Sequence, residues 1–260
     1  MEIILSIKNL FYTVEDKNLL TNKKKTIIDN ISLDVIQGEI LGIAGESGGG
    51  KTTLIKLITG IIKPSTGSIK INIEKNNINP VQILFQNNGQ ILNPHRKIDD
   101  IVGEAIKLRD ISLKAKELEV EKEKIFTAIN FPMQYRQNRG DQLSGGQQQR
   151  AALARLLAVK PEILILDEPF SAQDYESQKN LSALFKNINK DLGITLICVS
   201  HNLKTLRKLC DRVIIIYKGK IVEIGKTEDV LSNPKHSYTK YLIKSENYDL
   251  THQELMARVE

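Results

Sequence analysis

The sequence contains no tryptophan, two cysteines and only 5% aromatic residues in 260. Each scarcity excludes something. Cys198 lies in an apolar strand-like run and Cys210 in a helix-like one, so neither a disulfide framework nor zinc or iron–sulfur ligand spacing is available. Both read as reduced packing residues of a cytosolic protein. No apolar run approaches the roughly 20 residues that span a bilayer, and no signal-peptide pattern opens the chain, so work at a membrane means docking onto it. The net charge of +6 comes without an arginine-rich aromatic stripe. It reads as a solvated surface suited to the anionic inner leaflet, and nucleic acid is not expected as a partner. The remaining balance, 41% hydrophobic and 26% charged, is that of an ordinary globular protein able to bury a substantial core in one domain with a subdomain.

What is present is concentrated in short polar motifs. Gly45-Glu46-Ser47-Gly48-Gly49-Gly50-Lys51-Thr52 satisfies the G-x-x-x-x-G-K-[ST] pattern between a strand-like run, residues 39–44, and a helix-like run, residues 53–59. In that setting successive backbone N–H groups and the positive end of the helix converge on phosphate oxygens, and glycine is needed because a Cβ would block the approach. Lys51 reaches between the β- and γ-phosphates as a point charge, and the Thr52 hydroxyl is placed for Mg²⁺. Such a loop alone does not choose among kinases, GTPases, helicases and transport ATPases.

The downstream motifs narrow the choice. Ile163-Leu164-Ile165-Leu166 suits a parallel strand buried on both faces and delivers Asp167 and Glu168 at its carboxyl end, where Pro169 stops it. Asp167 suits a metal held through water, and Glu168 suits orienting or deprotonating the water that attacks a γ-phosphate. Between the loop and this strand, Leu143-Ser144-Gly145-Gly146-Gln147-Gln148-Gln149-Arg150 opens a helix-patterned run. A serine and two glycines at a helix N-terminus make a second anion site. Taken alone they equally suit a plain N-capped loop. One ATP cannot easily serve both sites on one chain.

In this order and spacing, over nearly the whole chain, the motifs resemble those of the ATP-binding subunit of an ATP-binding-cassette (ABC) transporter. By that resemblance, residues 45–53, through Thr53, are the Walker A loop. Gln86 in Ile83-Leu84-Phe85-Gln86 is the Q-loop glutamine that senses Mg²⁺ and water, and Ser144, Gly145, Gly146 and Gln147 belong to the signature. Asp167 and Glu168 match the Walker B acids, Ser171-Ala172-Gln173-Asp174 the D-loop, and His201 the switch histidine that holds the γ-phosphate and the attacking water with Glu168. A lone histidine more often packs than reacts, but its place after the β-rich run 194–199 favours the switch role.

The resemblance implies an α/β fold of the P-loop NTPase (RecA-like) type, with a parallel-sheet core, an N-terminal antiparallel β-subdomain and an inserted α-helical subdomain over about residues 90–142. The ATP-binding domain would span 1–245 and a tail 231–260. ATP and Mg²⁺ are the implied cofactors. The implied partners are a second ABC ATPase subunit, identical or paralogous, and two integral membrane permease subunits at the cytoplasmic face of the cell membrane. Packed head to tail, two cassettes would place each ATP between the Walker A loop of one and the signature of the other, which gives both anion sites one ligand.

Asn233-Pro234-Lys235-His236-Ser237-Tyr238-Thr239-Lys240-Tyr241-Leu242 is similar to the Asn-Pro-x-His-Pro-Tyr-Thr-x-x-Leu tail of peptide and nickel importer subunits, with Ser237 for the usual proline. Ile91-Leu92-Asn93-Pro94 is similar to that group's Ser-Leu-Asn-Pro. Alone, Asn233-Pro234 equally suits the start of a terminal helix. The group implies import of oligopeptides, dipeptides, nickel or metal chelates, delivered by an extracytoplasmic solute-binding protein. The alternative is a soluble non-transport ATPase of the same fold, acting in cluster assembly, DNA repair or translation; a single cassette without zinc insertions or a tandem copy argues against it. Some positions depart from the family pattern. Val14 stands where the adenine-stacking aromatic is usual, leaving Tyr12 as the candidate; Gln173 replaces a leucine, Asn202 an aspartate, and the stretch from Gly67 to Gln86 is short.

The remaining pattern predicts alternating strands at 3–14 and 27–35 joined through a lysine-rich loop at 22–25, a strand at 69–73, and a turn at 76–79. Charged helices are expected at 104–109 and 113–129, with Glu117, Glu119 and Glu121 and Lys114, Lys116 and Lys122 as a solvated face. A helix at 177–192, a strand at 194–199, a helix at 203–210 and a hairpin around Lys218-Gly219 follow, with the nucleotide site at the carboxyl ends of the strands.

Overall fold

Burial alternates along the first two strands, and one asparagine on each interrupts the alternation. β1 (Ile3–Glu15) and β2 (Lys24–Ile36) pair antiparallel. Ile7 and Leu10 on β1, and Ile28 and Ile31 on β2, are buried although three residues apart. The extra residue is absorbed at Asn9 (φ 45°) and Asn30 (φ 57°), bulges that return each strand to its buried face. Ser32 Oγ accepts the Asn9 N–H at 2.9 Å and holds the bulge.

In this computed structural model, residues 2–15, 24–73, 80–85, 92–171 and 174–246 are described. After β2 come β3 (Ile40–Ala44), α1 (Lys51–Ile58) and β4 (Thr66–Ile71). β5 (Val81–Leu84), α2 (Ile98–Arg109), α3 (Ala115–Ala128), α4 (Gly145–Leu157), β6 (Ile163–Asp167) and α5 (Tyr175–Leu192) follow. The chain ends its described part with β7 (Thr195–Val199), α6 (Leu203–Leu209), β8 (Arg212–Tyr217), β9 (Lys220–Lys226), α7 (Thr227–Ser232) and α8 (Ser237–Glu246). Two compact units result: Met1–Asn72 with Thr195–Glu260, and Ile73–Ile194.

The first unit holds an antiparallel sheet, β2-β1-β4, and the parallel strands β7, β3 and β8 with β9 antiparallel on β8. β3 and β7 are buried at every residue, as strands covered on both faces must be. Gly42 makes room for the residue that caps α6, since a Cβ there would lie 3.2 Å from Cys210 Sγ; both cysteines are buried and reduced. Lys24 and Lys25, expected in a loop, begin β2 opposite Glu15 and Val14. β4 starts at Thr66, earlier than its apolar residues suggest. Gly67 (φ 87°) is the reason: a Cβ there would fall 2.2 Å from Asn9 O, so glycine lets the strand close against the bulge. α6 ends at Leu209 with Cys210 as its cap, and the terminal helix starts at Ser237 rather than at Asn233-Pro234. The turn expected at 76–79 lies outside the described residues.

The second unit pairs β5 with β6 in parallel and surrounds them with helices. Its charged residues are not simply solvated. Lys122 is buried and donates to Asp99 Oδ2 at 2.5 Å, with Glu119 3.0 Å away. Arg136 bonds Asp99 and Glu119 and stands 5.0 Å above the Phe126 ring. Despite burial, which raises it, the Asp99 pKa is lowered by the Lys122 and Arg136 hydrogen bonds. Gly103 of α2 lies opposite Lys122, whose buried stem packs along this part of the helix. Arg109 donates to Glu121 Oε2 at 2.9 Å and to Ala158 O at 3.0 Å, tying α2 to α3 and to the end of α4.

The Arg109 hydrogen bond holds Glu121 at about 2 against the opposing effect of burial, with Lys160 and Lys124 adding to it. A carboxylate whose folded value lies below its unfolded one stabilises above the unfolded value and ceases to do so as pH falls through the folded one. Glu121→Gln is therefore expected to cost about 1 kcal/mol at pH 7. In urea unfolding the gap from wild type should close between about pH 4.5 and 2.

Candidate nucleotide site

The phosphate loop leaves β3 at Ala44 and is shaped by contacts that exclude side chains. Gly45 (φ 150°) sits where a Cβ would be 2.2 Å from Ile216 O of β8, and Gly50 (φ 107°) where one would be 3.0 Å from Ile27 O and 3.1 Å from Ile28 Cδ1. Lys51, first residue of α1, is buried and its Nζ donates to Gly45 O at 2.7 Å and Glu46 O at 2.8 Å. The ammonium thus lies over the loop's own carbonyls. Gly49 N–H donates to Glu46 O at 3.2 Å, and Gly49 O accepts from Gly219 N–H at 3.1 Å. Glu46, Ser47, Gly48 and Thr52 are exposed, and Thr53 is half-buried.

Strand register places the other first-unit candidates. Ile43 lies opposite Val199, so Gly45 and His201 leave neighbouring parallel strands at the same carboxyl end. His201 is exposed in the turn before α6, where Asn202 caps the helix by accepting Thr205 N–H at 2.9 Å. That cap needs only a side-chain oxygen, so asparagine serves where the family pattern has aspartate. Tyr12 is half-buried opposite Ile28, the residue that packs on Gly50.

In the second unit, β6 is buried from Ile163 to Leu166 and carries half-buried Asp167 and Glu168 at its end. Glu168 has φ 48°, a costly backbone for a non-glycine residue that the surrounding structure must enforce. Part of that enforcement is Gln149 of α4, whose buried Nε2 donates to Pro169 O at 2.9 Å. Ser144 caps α4: its N–H donates to Gln147 Oε1 at 2.9 Å and its Oγ accepts Gln147 N–H at 3.4 Å. Gln147 therefore turns back into a capping box. Gly145 and Gly146 are exposed, and a Cβ on either would meet nothing within 4 Å. Asp174 caps α5 with both carboxylate oxygens, from Ser177 N–H at 2.9 Å and Ser177 Oγ at 2.8 Å, and these bonds lower its pKa. Gln86, like Ala172 and Gln173, lies outside the described residues.

Comparison with known proteins settles what these motifs belong to. The family described as ABC transporter matches residues 28–171, more than half of the chain. The chain belongs to this family. A putative peptide import ATP-binding protein of Brucella ovis is 33% identical over 229 residues, covering 84% of this cassette and 72% of that protein. The methionine import ATP-binding protein MetN of Francisella tularensis is 35% identical over 255 residues, covering 93% and 69%. A dimeric ATP-binding cassette solved in a post-hydrolysis state with ADP and Pi matches at a TM-score of 0.72 and 25% identity, over 86% of this chain and 98% of that one. The cassette is thus an ATP-binding, ATP-hydrolysing α/β protein whose turnover is coupled to transport.

Two residues of this ABC cassette stand outside the motif reading. Gln149 follows the signature and looks interchangeable with Gln147 and Gln148, but only its burial and its bond to Pro169 O distinguish it. Tyr238 reaches the phosphate loop from α8; the importer-type tail pattern contains it but does not signal that contact. The glycines themselves give a prediction. Gly45→Ala, whose Cβ would collide with Ile216 O, should lose about 2 kcal/mol or more in urea unfolding. Gly145→Ala should leave the isolated cassette within about 0.5 kcal/mol of wild type, or slightly stabilise the helix start.

Proposed function

We propose that the cassette is the peripheral ATPase subunit of a peptide importer, working as an ATP-bridged pair beneath two membrane permease subunits. The observation that carries the paired arrangement is the contrast between its two anion-binding helix starts. Gly45 and Gly50 are glycine because the chain's own atoms approach them, whereas Gly145 and Gly146 face open space and are exposed. A second body approaching the signature accounts for glycine there, and similarity to a dimeric cassette bound to ADP and Pi supports a second copy or a paralogue as that body.

In this reading Gly45, Glu46, Ser47, Gly48, Gly49, Gly50, Lys51, Thr52 and Thr53 hold the phosphates and Tyr12 stacks on the base. Ser144, Gly145, Gly146 and Gln147 meet the partner's nucleotide, and Asp174, already committed to capping α5, steadies the D-loop that faces the partner. Glu168 takes the proton of the attacking water, aimed by its constrained backbone, and His201 holds the γ-phosphate. Mg²⁺ would be held by Thr52, whose hydroxyl is exposed at the first turn of α1, and by Asp167 and Gln86, side chains that carry the oxygen donors it takes. When bound, it neutralises the charge that develops on the phosphates.

The ATP-binding domain would run over 1–245 with a helical insertion at about 90–142 and a tail at 231–260. Among the described residues no helix is long and apolar enough to cross a membrane. The permeases would therefore carry the path, with this subunit docked at their cytoplasmic face and cargo supplied by a solute-binding protein. The peptide reading draws on the Brucella relative and the tail; a methionine cargo is the second reading, favoured by the MetN relative.

Glu168→Gln should lower hydrolysis about 100-fold or more and accumulate an ATP-dependent dimer in light scattering; undiminished turnover would remove Glu168 from its role. In proteoliposomes with the permeases and binding protein, peptides should stimulate ATPase activity. Stimulation by methionine or nickel alone would overturn the peptide assignment.

A further inference from the structure

Tyr238 is the largest fully buried side chain described, at 1% exposure, and its hydroxyl is not spent on its own helix. Tyr238 Oη accepts the N–H of Glu46, second residue of the phosphate loop, at 2.8 Å. The Glu46 peptide is a node. Its N–H goes to Tyr238, while its carbonyl accepts Lys51 Nζ at 2.8 Å and Gly49 N–H at 3.2 Å. A displacement of Glu46 therefore displaces an acceptor of the loop lysine.

The tail is held in register for this contact. Glu223 of β9 accepts Lys235 N–H at 2.8 Å and His236 N–H at 3.1 Å, and His236 Nδ1 accepts Tyr238 N–H at 3.1 Å. The Tyr238 ring stacks on Tyr217, centroids 4.0 Å apart and planes at 24°. Tyr217 ends β8 beside the turn whose Gly219 N–H holds Gly49 O. One aromatic pair thus abuts the loop directly and through the hairpin. Burial pushes the phenol up to about 12, so the hydroxyl stays protonated through the neutral range and the contact does not titrate there.

We infer that Tyr238 is a positioning residue of the phosphate loop: from the terminal helix its hydroxyl fixes the Glu46 main chain, and with it the seat of Lys51 and the affinity for nucleotide phosphates. This rests on the reading that residues 45–52 bind those phosphates. It makes the tail segment part of the nucleotide site, so that anything unseating α8 lowers ATP affinity.

Tyr238→Phe removes the hydroxyl and keeps the stacked ring. In the full chain it should raise KM for ATP about 3- to 10-fold, the loss of one hydrogen bond, with kcat within about twofold. Amide hydrogen exchange at residues 45–50 should accelerate without nucleotide, while Tyr241→Phe on the same helix changes neither readout. Glu223→Gln, which loosens the segment before α8 without touching the ring, should move both readouts the same way by a smaller amount. Wild-type KM and wild-type exchange in Tyr238→Phe would overturn the inference. If the wild type binds no nucleotide, the phosphate-loop reading falls, and the exchange measurement still decides whether Tyr238 holds the loop.

Discussion

The carbonyl of Ile216, 2.2 Å from where a side chain on Gly45 would begin, is the contact on which the shape of the glycine-rich loop depends. It exists because β8 runs parallel beside β3 and continues past the point where β3 ends at Ala44. The chain must leave β3 with φ 150°, and only glycine meets both the angle and the space. Gly50 repeats the constraint against Ile27, and Gly219 in the hairpin turn does so from the other side, where a Cβ would be 2.4 Å from Ile27 O. Three glycines, two in the loop and one in the hairpin turn, thus pack backbone against backbone, which fixes a loop that would otherwise be the most entropic piece of the unit.

The second unit solves a different problem with buried polar groups. Glu168, the proposed base, sits on a strained backbone, and the signature helix reaches that turn through Gln149. The same helix sends Arg150 back to Ile129 O at 2.5 Å, closing the end of α3, while Arg109 ties α2 to the end of α4. The signature, the acidic turn and the charged helices are therefore bonded into one network. Such networks transmit displacement better than an apolar contact does, because losing one partner leaves a costly unsatisfied group.

Much of this was legible in the sequence, for reasons that differ by element. β3, β6 and β7 are short continuous apolar runs that end in polar motifs, and two-sided burial allows little else. The hairpin around Lys218-Gly219 is legible because two successive residues with positive φ need such a pair. Elements that depend on distant partners were not legible. β4 starts at Thr66, where Gly67 meets the bulge at Asn9, and Lys24 extends β2 by pairing opposite Glu15 of β1. The buried Lys122 and half-buried Arg136 look like surface charge until Asp99 is placed between them. At the site, motif spacing nominated the loop, the acids and the signature. The hydroxyl of Tyr238 became visible only with a contact between residues 192 positions apart.

In the proposed reading, phosphate recognition is a problem of backbone placement, with Lys51 as the charge set on that backbone. Calorimetric titration of the full chain with a non-hydrolysable ATP analogue and Mg²⁺ tests this most directly. Wild type should bind, and Lys51→Ala should bind at least about tenfold more weakly, as expected for loss of a charge-assisted phosphate contact. Equal affinity in the two proteins would contradict the account.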